Sequence, residues 1–188
     1  MDASPRVPLW IFLFFALFYF ATMPGRLQIS DSVYSVKTAQ ALVRRGTLAL
    51  EVTPAAEGYV FRREGQAFSK FGVGLALIWT PLVAVAEVVA DLAGLAELPR
   101  DILTHSIVSI YSIFFGAAGC VVFYLLARNF GAGPAPGVLL TLAFGSGTIL
   151  WKYGVYDFSE IVQSLFLMGA TYAAWRNTPY GTFRGLNL

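Results

Sequence analysis

Long apolar blocks alternate with short polar links along the chain, and the lengths of the blocks predict membrane-spanning helices. A helix needs about 20 residues to cross a hydrocarbon core of about 30 Å, because it rises about 1.5 Å per residue. Four blocks are predicted to span, over residues 7–23, 102–127, 137–153 and 161–175. The first block starts like a signal peptide, but no clear small-residue cleavage site follows it. We therefore interpret it as a retained membrane anchor.

The long segment 24–101 between the first two spans predicts two juxtamembrane helices. Over 31–46, apolar residues recur at helical spacing and basic residues occupy the other face, which is typical of an amphipathic helix. The second helix, over 71–94, begins with an apolar run that Glu87 and Asp91 interrupt. Its length fits either a span or a helix that lies in the membrane interface.

A small hairpin is predicted between these two helices. Residues 47–52 and 59–63 are strand-like runs, and they flank a turn-forming stretch at 54–58.

The distribution of arginines favours the interfacial alternative for 71–94. If this segment does not cross and the N-terminus is inside, Arg6, Arg128, Arg176 and Arg184 are all cytoplasmic. If it crosses, the last three move outside, against the bias of short cytoplasmic loops toward Lys and Arg. The loop 24–101 is then expected to be extracytoplasmic.

Composition supports a membrane protein and excludes several kinds of site. Hydrophobic residues make up 57% of the 188 residues and charged residues only 13%, so the fold class expected is an all-α polytopic membrane protein. The net charge of +2 argues against a nucleic-acid partner. One cysteine, Cys120, and one histidine, His105, exclude an intrachain disulfide and a His-rich or Cys-rich metal centre.

Three charged residues stand where apolar blocks give way to polar links: Asp31, Lys70 and Glu160. In the non-crossing topology all three lie at the outer surface, and we expect them to face a common cavity. Two carboxylates and an ammonium at one membrane face suit acid–base chemistry and phosphate binding.

Each of these residues also has a purely structural interpretation. Asp31 could cap the helix that begins near it. Asp157 and Glu160 have the D-x-x-E spacing of a capping box before the span at 161–175. Lys70 could be an ordinary interfacial lysine beside an apolar block.

The order of the short motifs resembles the N-terminal part of the GT-C superfamily of membrane glycosyltransferases, in its protein mannosyltransferase and aminoarabinose transferase branch. Asp31 and Tyr34 match the acidic motif and tyrosine that open the first outer loop of that branch. Phe68-Ser69-Lys70 matches its aromatic-x-Lys signature, and Gly154–Glu160 matches a Gly-x-Tyr-x-x-x-acid motif at the outer end of a later helix.

The resemblance implies a sugar donor linked to polyprenyl phosphate and an acceptor with a hydroxyl group. It implies that Asp31 is the general base, that Lys70 binds the donor phosphate, and that Glu160 is a second catalytic acidic residue that orients donor, acceptor or a divalent metal ion. It also implies supporting roles for four neighbouring residues: Tyr34, Lys37, Tyr156 and Asp157. The site would face the outside of a bacterial inner membrane, as for an enzyme of the cell envelope.

Members of that family have more spans than this sequence predicts, so we expect the chain to be the N-terminal portion of a longer protein. The alternative interpretation is a non-catalytic membrane subunit that binds a protein partner or lipid through helix 31–46. A transporter is disfavoured, because the predicted spans contain almost no ionisable residues to line a pathway.

Overall fold

A computed structural model describes residues 6–25, 27, 30–51 and 58–177, apart from the side chain of Asn177. This part of the chain is mostly helical, as expected from its composition. The helices are α1 Arg6–Thr22, α2 Ser30–Arg45, α3 Val73–Leu92, α4 Glu97–Ser109, α5 Tyr111–Asn129, α6 Pro134–Gly147, α7 Ile149–Val155 and α8 Glu160–Asn177. The strands are β1 Val60–Arg63 and β2 Gln66–Ser69.

The helices form two compact units. One comprises Gly25–Tyr111, and the other comprises Met1–Pro24 together with Ser112–Leu188. The first unit therefore holds α2–α4 and the strands, and the second holds α1 and the helices from α5 onward.

Length and hydropathy support fewer spans than the four predicted. Among the described residues, α3 and the 33-residue run Glu97–Asn129 are long and apolar enough to cross a membrane. The pair α6 and α7 qualifies as a third if the two are taken as one span, bent by 64°. Helix α1 is apolar but has only 17 residues, and α8, over the predicted span 161–175, does not qualify.

Helix α2 confirms the predicted amphipathic helix closely. It buries Val36 and Ala39 and carries Arg44 and Arg45 in its last turn, where cations complement the helix dipole. Thr38 of the same helix is also buried. Its hydroxyl donates a hydrogen bond of 2.8 Å to the backbone carbonyl of Tyr34, so its polar group is satisfied inside the helix.

The hairpin does not lie where the sequence pattern placed it. β1 pairs antiparallel with β2 in a register that joins Arg63 to Gln66, so the connecting turn is Glu64-Gly65. Both turn residues have positive φ, 53° and 78°, which is the combination that a two-residue type I′ turn requires. The predicted strand 59–63 is largely confirmed by β1. Its partner is β2, which follows it in sequence, and not the predicted strand 47–52. The predicted turn lies largely outside the described residues.

A close contact between helices organises the second unit. The Tyr19 hydroxyl of α1 donates a 2.8 Å hydrogen bond to the backbone carbonyl of Gly145 in α6, and lies 3.4 Å from the sulfur of Cys120 in α5. A Cβ atom at Gly145 would lie 2.2 Å from the Phe15 ring and 2.7 Å from that sulfur. Only glycine lets these helices approach so closely, as at many interfaces between membrane helices.

Candidate functional site

Asp31 occupies the first turn of α2. Its Oδ1 accepts a hydrogen bond of 3.0 Å from the backbone N–H of Ser32, and its side chain is half-buried. An acidic residue in the first turn of a helix is favourably placed relative to the helix dipole. The half-buried side chain leaves part of the carboxylate accessible.

Lys70 follows β2 directly and is exposed. Its ammonium lies 5.1 Å from the centroid of the Tyr59 ring and 5.4 Å from that of Phe71. It also donates a hydrogen bond to the backbone carbonyl of Gly58. Both ring distances are within the range of cation–π attraction, so the flexible lysine is held in a defined place.

Tyr34 connects Lys70 to the helix that carries Asp31. The Tyr34 ring stacks on Tyr59 with centroids 5.1 Å apart and planes 16° apart, and its centroid is 6.4 Å from that of Phe71. The Lys37 ammonium lies 5.3 Å from the centroid of the same Tyr34 ring. We call these five side chains, Tyr34, Lys37, Tyr59, Lys70 and Phe71, the aromatic–lysine cluster.

The cluster joins two motifs that are far apart in sequence. Tyr34 lies three residues after Asp31, and residues at this spacing share one face of a helix. Lys70 and Phe71 belong to the aromatic-x-Lys segment. The structure therefore brings Tyr34 and Lys37, for which the resemblance implies supporting roles, into one cluster with Lys70.

An apolar cavity of about 180 Å³ adjoins the cluster. The Phe71 ring belongs to both, and Phe61 and Phe68 add two more aromatic walls. Ser35 and Thr38 of α2 also line it. The cavity is small, and most of the residues that line it are apolar.

Glu160 and Asp157 belong to the other compact unit. Glu160 is the first residue of α8 and is exposed, and its Oε2 accepts a hydrogen bond of 3.3 Å from the Ser159 hydroxyl. Asp157 is only 2% exposed and lies three residues before the first residue of the helix. The capping box predicted for Asp157 and Glu160 stays a prediction. That Glu160 faces the same cavity as Asp31 and Lys70 stays a prediction.

Tyr156, the fourth residue with a predicted supporting role, takes part in a second contact between a lysine and an aromatic ring. The Lys152 ammonium lies 3.8 Å from the centroid of its ring, and Phe158 packs beside it at 6.5 Å. Sequence reasoning assigned no role to Lys152. The spacing of Lys152 and Tyr156 in the sequence indicates this contact, because residues four apart are neighbours on a helix.

Sequence reasoning also missed a cluster of charges at the far end of α2 and α3. Glu87, only 7% exposed, accepts one hydrogen bond of 2.8 Å from Arg44 and another of 2.8 Å from Arg100. Arg100 also lies 2.7 Å from Asp91, and Arg44 lies 3.3 Å from Glu97. The hydrogen bond to Glu87 raises the pKa of Arg44. We call these five residues the charge clamp.

The described residues contain no group of three or more His, Cys, Asp or Glu side chains placed to hold a metal ion. No family model, curated protein or solved structure matches the chain.

Proposed function

We propose that this protein is a membrane glycosyltransferase, or the N-terminal portion of one, that moves a sugar from a polyprenyl-phosphate donor to an acceptor hydroxyl. The observation that carries the proposal is the aromatic–lysine cluster. It holds the ammonium of Lys70 over the ring of Tyr59, and that ring stacks on Tyr34, which lies one helical turn from Asp31. This gives a cation for a phosphate and a carboxylate for a proton within one compact unit.

Lys70 binds the donor phosphate in this proposal. An ammonium group has three N–H donors, so Lys70 can donate to a phosphate oxygen while it keeps its bond to Gly58. The rings of Tyr59 and Phe71 restrict the side chain before the ligand arrives, which lowers the entropy cost of binding.

The apolar cavity suits the prenyl chain of such a donor. Phe71 lines the cavity and also contacts Lys70, so an apolar chain in the cavity places its phosphate near the ammonium. A free sugar nucleotide is polar and charged, and it has no apolar chain to pack between Phe61 and Phe68. This observation therefore favours a lipid-linked donor over a soluble one.

Asp31 acts as the general base. The acceptor O–H gives its proton to the Asp31 carboxylate as its oxygen forms a bond to the anomeric carbon. The bond from that carbon to the donor phosphate oxygen breaks, and the electron pair leaves with the polyprenyl phosphate. Lys70 stabilises the charge that develops there, and a base in this role contributes about 10²- to 10⁴-fold to the rate.

Glu160 is the second catalytic acidic residue in the proposal and orients the donor, the acceptor or a divalent ion, with Asp157 and Tyr156 in support. The proposed location is a bacterial inner membrane, with the loop between α1 and α4 on the extracytoplasmic side.

The test separates binding from transfer, with the full chain in lipid nanodiscs. We expect Lys70→Ala to weaken binding of a fluorescent polyprenyl phosphate by tenfold or more, because a charge-assisted hydrogen bond contributes about 1.5–3 kcal/mol. Arg63→Ala is the matched control, since Arg63 is an exposed cation of the same hairpin. Equal affinity in the two variants contradicts the assignment of Lys70.

Transfer is measured with a panel of polyprenyl-phosphate sugars and the complete enzyme in native membrane vesicles. Asp31→Asn is expected to lower kcat by about 10²- to 10⁴-fold with donor affinity unchanged. Glu51→Gln, a change to a carboxylate that is 86% exposed, is the control. Full activity of Asp31→Asn removes Asp31 from the chemistry. Donor binding without transfer by the unaltered protein supports the non-catalytic subunit instead.

A further inference from the structure

Helices α1 and α6 enclose an apolar groove of about 310 Å³. Three of its lining residues, Ile11, Phe15 and Thr141, are at most 7% exposed and form its floor. The Thr141 hydroxyl donates a hydrogen bond of 2.8 Å to the backbone carbonyl of Gly137, so it is already satisfied inside α6. The groove therefore suits an apolar ligand better than a sugar or another polar one. The remaining lining residues are Val7, Trp10, Phe14, Val138 and Leu142.

The two helices run in the same direction, and the groove lies near their first residues. Tyr19 of α1 bonds to Gly145 of α6, and about two turns earlier in each helix Ile11 and Val138 line the groove. The groove extends along residues 7–15 of α1, a rise of about 12 Å. That length is most of one leaflet of the hydrocarbon core, which is about 15 Å thick.

Two arginines border the end of the groove where the helices begin. Arg6 is the first residue of α1, is exposed, and directly precedes the lining residue Val7. Arg128 lies in the last turn of α5. A Cβ atom at Gly137, the neighbour of the lining residue Val138, would lie 3.4 Å from Cδ of Arg128. Positive charge is thus concentrated at one end of an otherwise apolar groove.

In a membrane, this end of the groove lies at the level of the lipid headgroups. The run Glu97–Asn129 is long and apolar enough to span, and it ends one residue after Arg128. Helix α6 begins a few residues later, with Gly133 as its N-cap, so the positive end of its dipole lies at the same level. The Arg128 guanidinium has five N–H groups and donates one hydrogen bond of 2.6 Å to the Ala132 carbonyl, so it keeps donors for an anion.

We propose that the groove between α1 and α6 binds an acyl chain of an anionic phospholipid from the bilayer, with the lipid phosphate against Arg6 and Arg128. The arginines identify the occupant by charge complementarity, because basic pockets between membrane helices bind acidic headgroups. A zwitterionic phospholipid carries a cation beside its phosphate and gains less from them. A protein helix would fill the apolar part alone and leave the arginines without an anion. This inference does not depend on glycosyl transfer.

Quenching of Trp10 fluorescence by brominated lipids tests the proposal, because Trp10 lines the groove. The full chain is placed in nanodiscs made of equal parts of phosphatidylglycerol and phosphatidylcholine, with bromine on the acyl chains of one lipid or the other. Trp10→Phe gives the signal of the remaining tryptophans, which is subtracted. The ratio of the two quenching efficiencies then measures the preference of the groove for the anionic lipid.

We expect a preference for phosphatidylglycerol of about 25-fold, since each arginine near the surface contributes about fivefold. Arg6→Gln and Arg128→Gln should each lower it by about fivefold, and Arg128→Lys should retain most of it because the charge stays. Arg176→Gln is the matched control, since Arg176 is an exposed arginine in the last turn of α8, and it should leave the preference unchanged.

Arg6 is exposed, so its replacement removes a charge without loss of packing. Protection of Cys120, which is 0% exposed, from a maleimide shows that each variant is folded. A preference that survives in both Arg6→Gln and Arg128→Gln, with Cys120 protected, overturns the proposal. Equal quenching by the two lipids in the unaltered protein also overturns it, because the groove then takes any lipid. If neither lipid quenches Trp10, protein covers the groove and the proposal is wrong.

Discussion

Glu87 gives the sharpest test of what holds the unit Gly25–Tyr111 together. Its carboxylate is largely removed from water and accepts hydrogen bonds of 2.8 Å from two arginines on different helices. Glu87→Gln keeps the size of the side chain but removes the charge. The amide N–H₂ group then faces at least one guanidinium, donor against donor. Both arginines lose the anion that compensates for their partial burial.

The size of the effect follows from the exposure of the partners. A hydrogen bond to a charged group contributes about 1.5–3 kcal/mol when buried, and less when solvent screens it. The Arg100 side chain is 17% exposed and that of Arg44 is 33% exposed. We therefore assign about 2 kcal/mol to the bond between Arg100 and Glu87 and about 1 kcal/mol to the bond between Arg44 and Glu87. With one weak bond retained by the amide oxygen, Glu87→Gln should cost about 2–3 kcal/mol.

Native-state thiol labelling measures this cost inside a membrane. Ala39→Cys in a Cys120→Ala background introduces a cysteine at a position of α2 that is 0% exposed. Its labelling rate reports how often this unit opens. A loss of 2–3 kcal/mol raises the opening equilibrium, and hence the rate, by about 30- to 150-fold.

Glu97→Gln is the matched control, because Glu97 also contacts Arg44, at 3.3 Å, but its side chain is 79% exposed. An exposed ion pair contributes at most about 1 kcal/mol, so labelling should rise by less than about fivefold. The reasoning is refuted if Glu87→Gln and Glu97→Gln accelerate labelling to the same extent. Burial would then have no influence on the strength of these pairs.

Two further predictions test close approaches of the backbone. Gly145→Ala should destabilise the second unit by about 1–3 kcal/mol, because its new methyl group overlaps a ring of α1, whereas Gly147→Ala meets nothing within 4 Å and should be neutral. The measurement is the rate at which Cys120, fully buried in the native protein, reacts with a maleimide, and equal rates in both variants would contradict the assigned packing. Gly65→Ala should destabilise the hairpin by about 1 kcal/mol and Glu64→Gly should stabilise it slightly, because both positions have positive φ. Hydrogen exchange of the strand amides measures both changes, and faster exchange in Glu64→Gly than in Gly65→Ala would disprove the turn.

The features that sequence predicted best depend on local spacing. Helix α2 was predicted over 31–46 and lies at Ser30–Arg45, because a 3.6-residue period and two basic residues before Gly46 are signals within one helix. Gly46 has φ of 65°, the left-handed conformation expected just after a helix end. Such signals need no knowledge of distant parts of the chain.

The hairpin shows where local patterns become ambiguous. The run 59–63 can pair with a strand on either side, and its own alternation does not choose between them. The Glu64-Gly65 turn decides the pairing, because its two residues connect strands directly while a longer loop costs more entropy to close. Leu50, from the expected partner strand, still reaches Ala67 through an isolated bridge, so the earlier run joins the far side of β2.

Local sequence patterns do not predict the charge clamp. Arg44 and Glu87 are 43 residues apart, and only folding makes them neighbours. In the sequence, Glu87 and Asp91 interrupt an apolar run. In the structure, Glu87 binds Arg44 and Arg100, and Asp91 also binds Arg100.

Mean hydropathy and side-chain burial give different accounts of α3, and the difference bears on how the protein meets the membrane. Hydropathy averages the helix as a rod and finds it long and apolar enough to cross. Burial divides it into two faces, and the apolar residues of one face already have protein partners. A buried carboxylate on that side, bound to arginines of α2 and α4, fixes polar helices there. The exposed apolar residues of α3, such as Leu77, Val85 and Val88, lie on the other side of the helix. The apolar character that hydropathy averages is therefore divided between protein contacts and an exposed face.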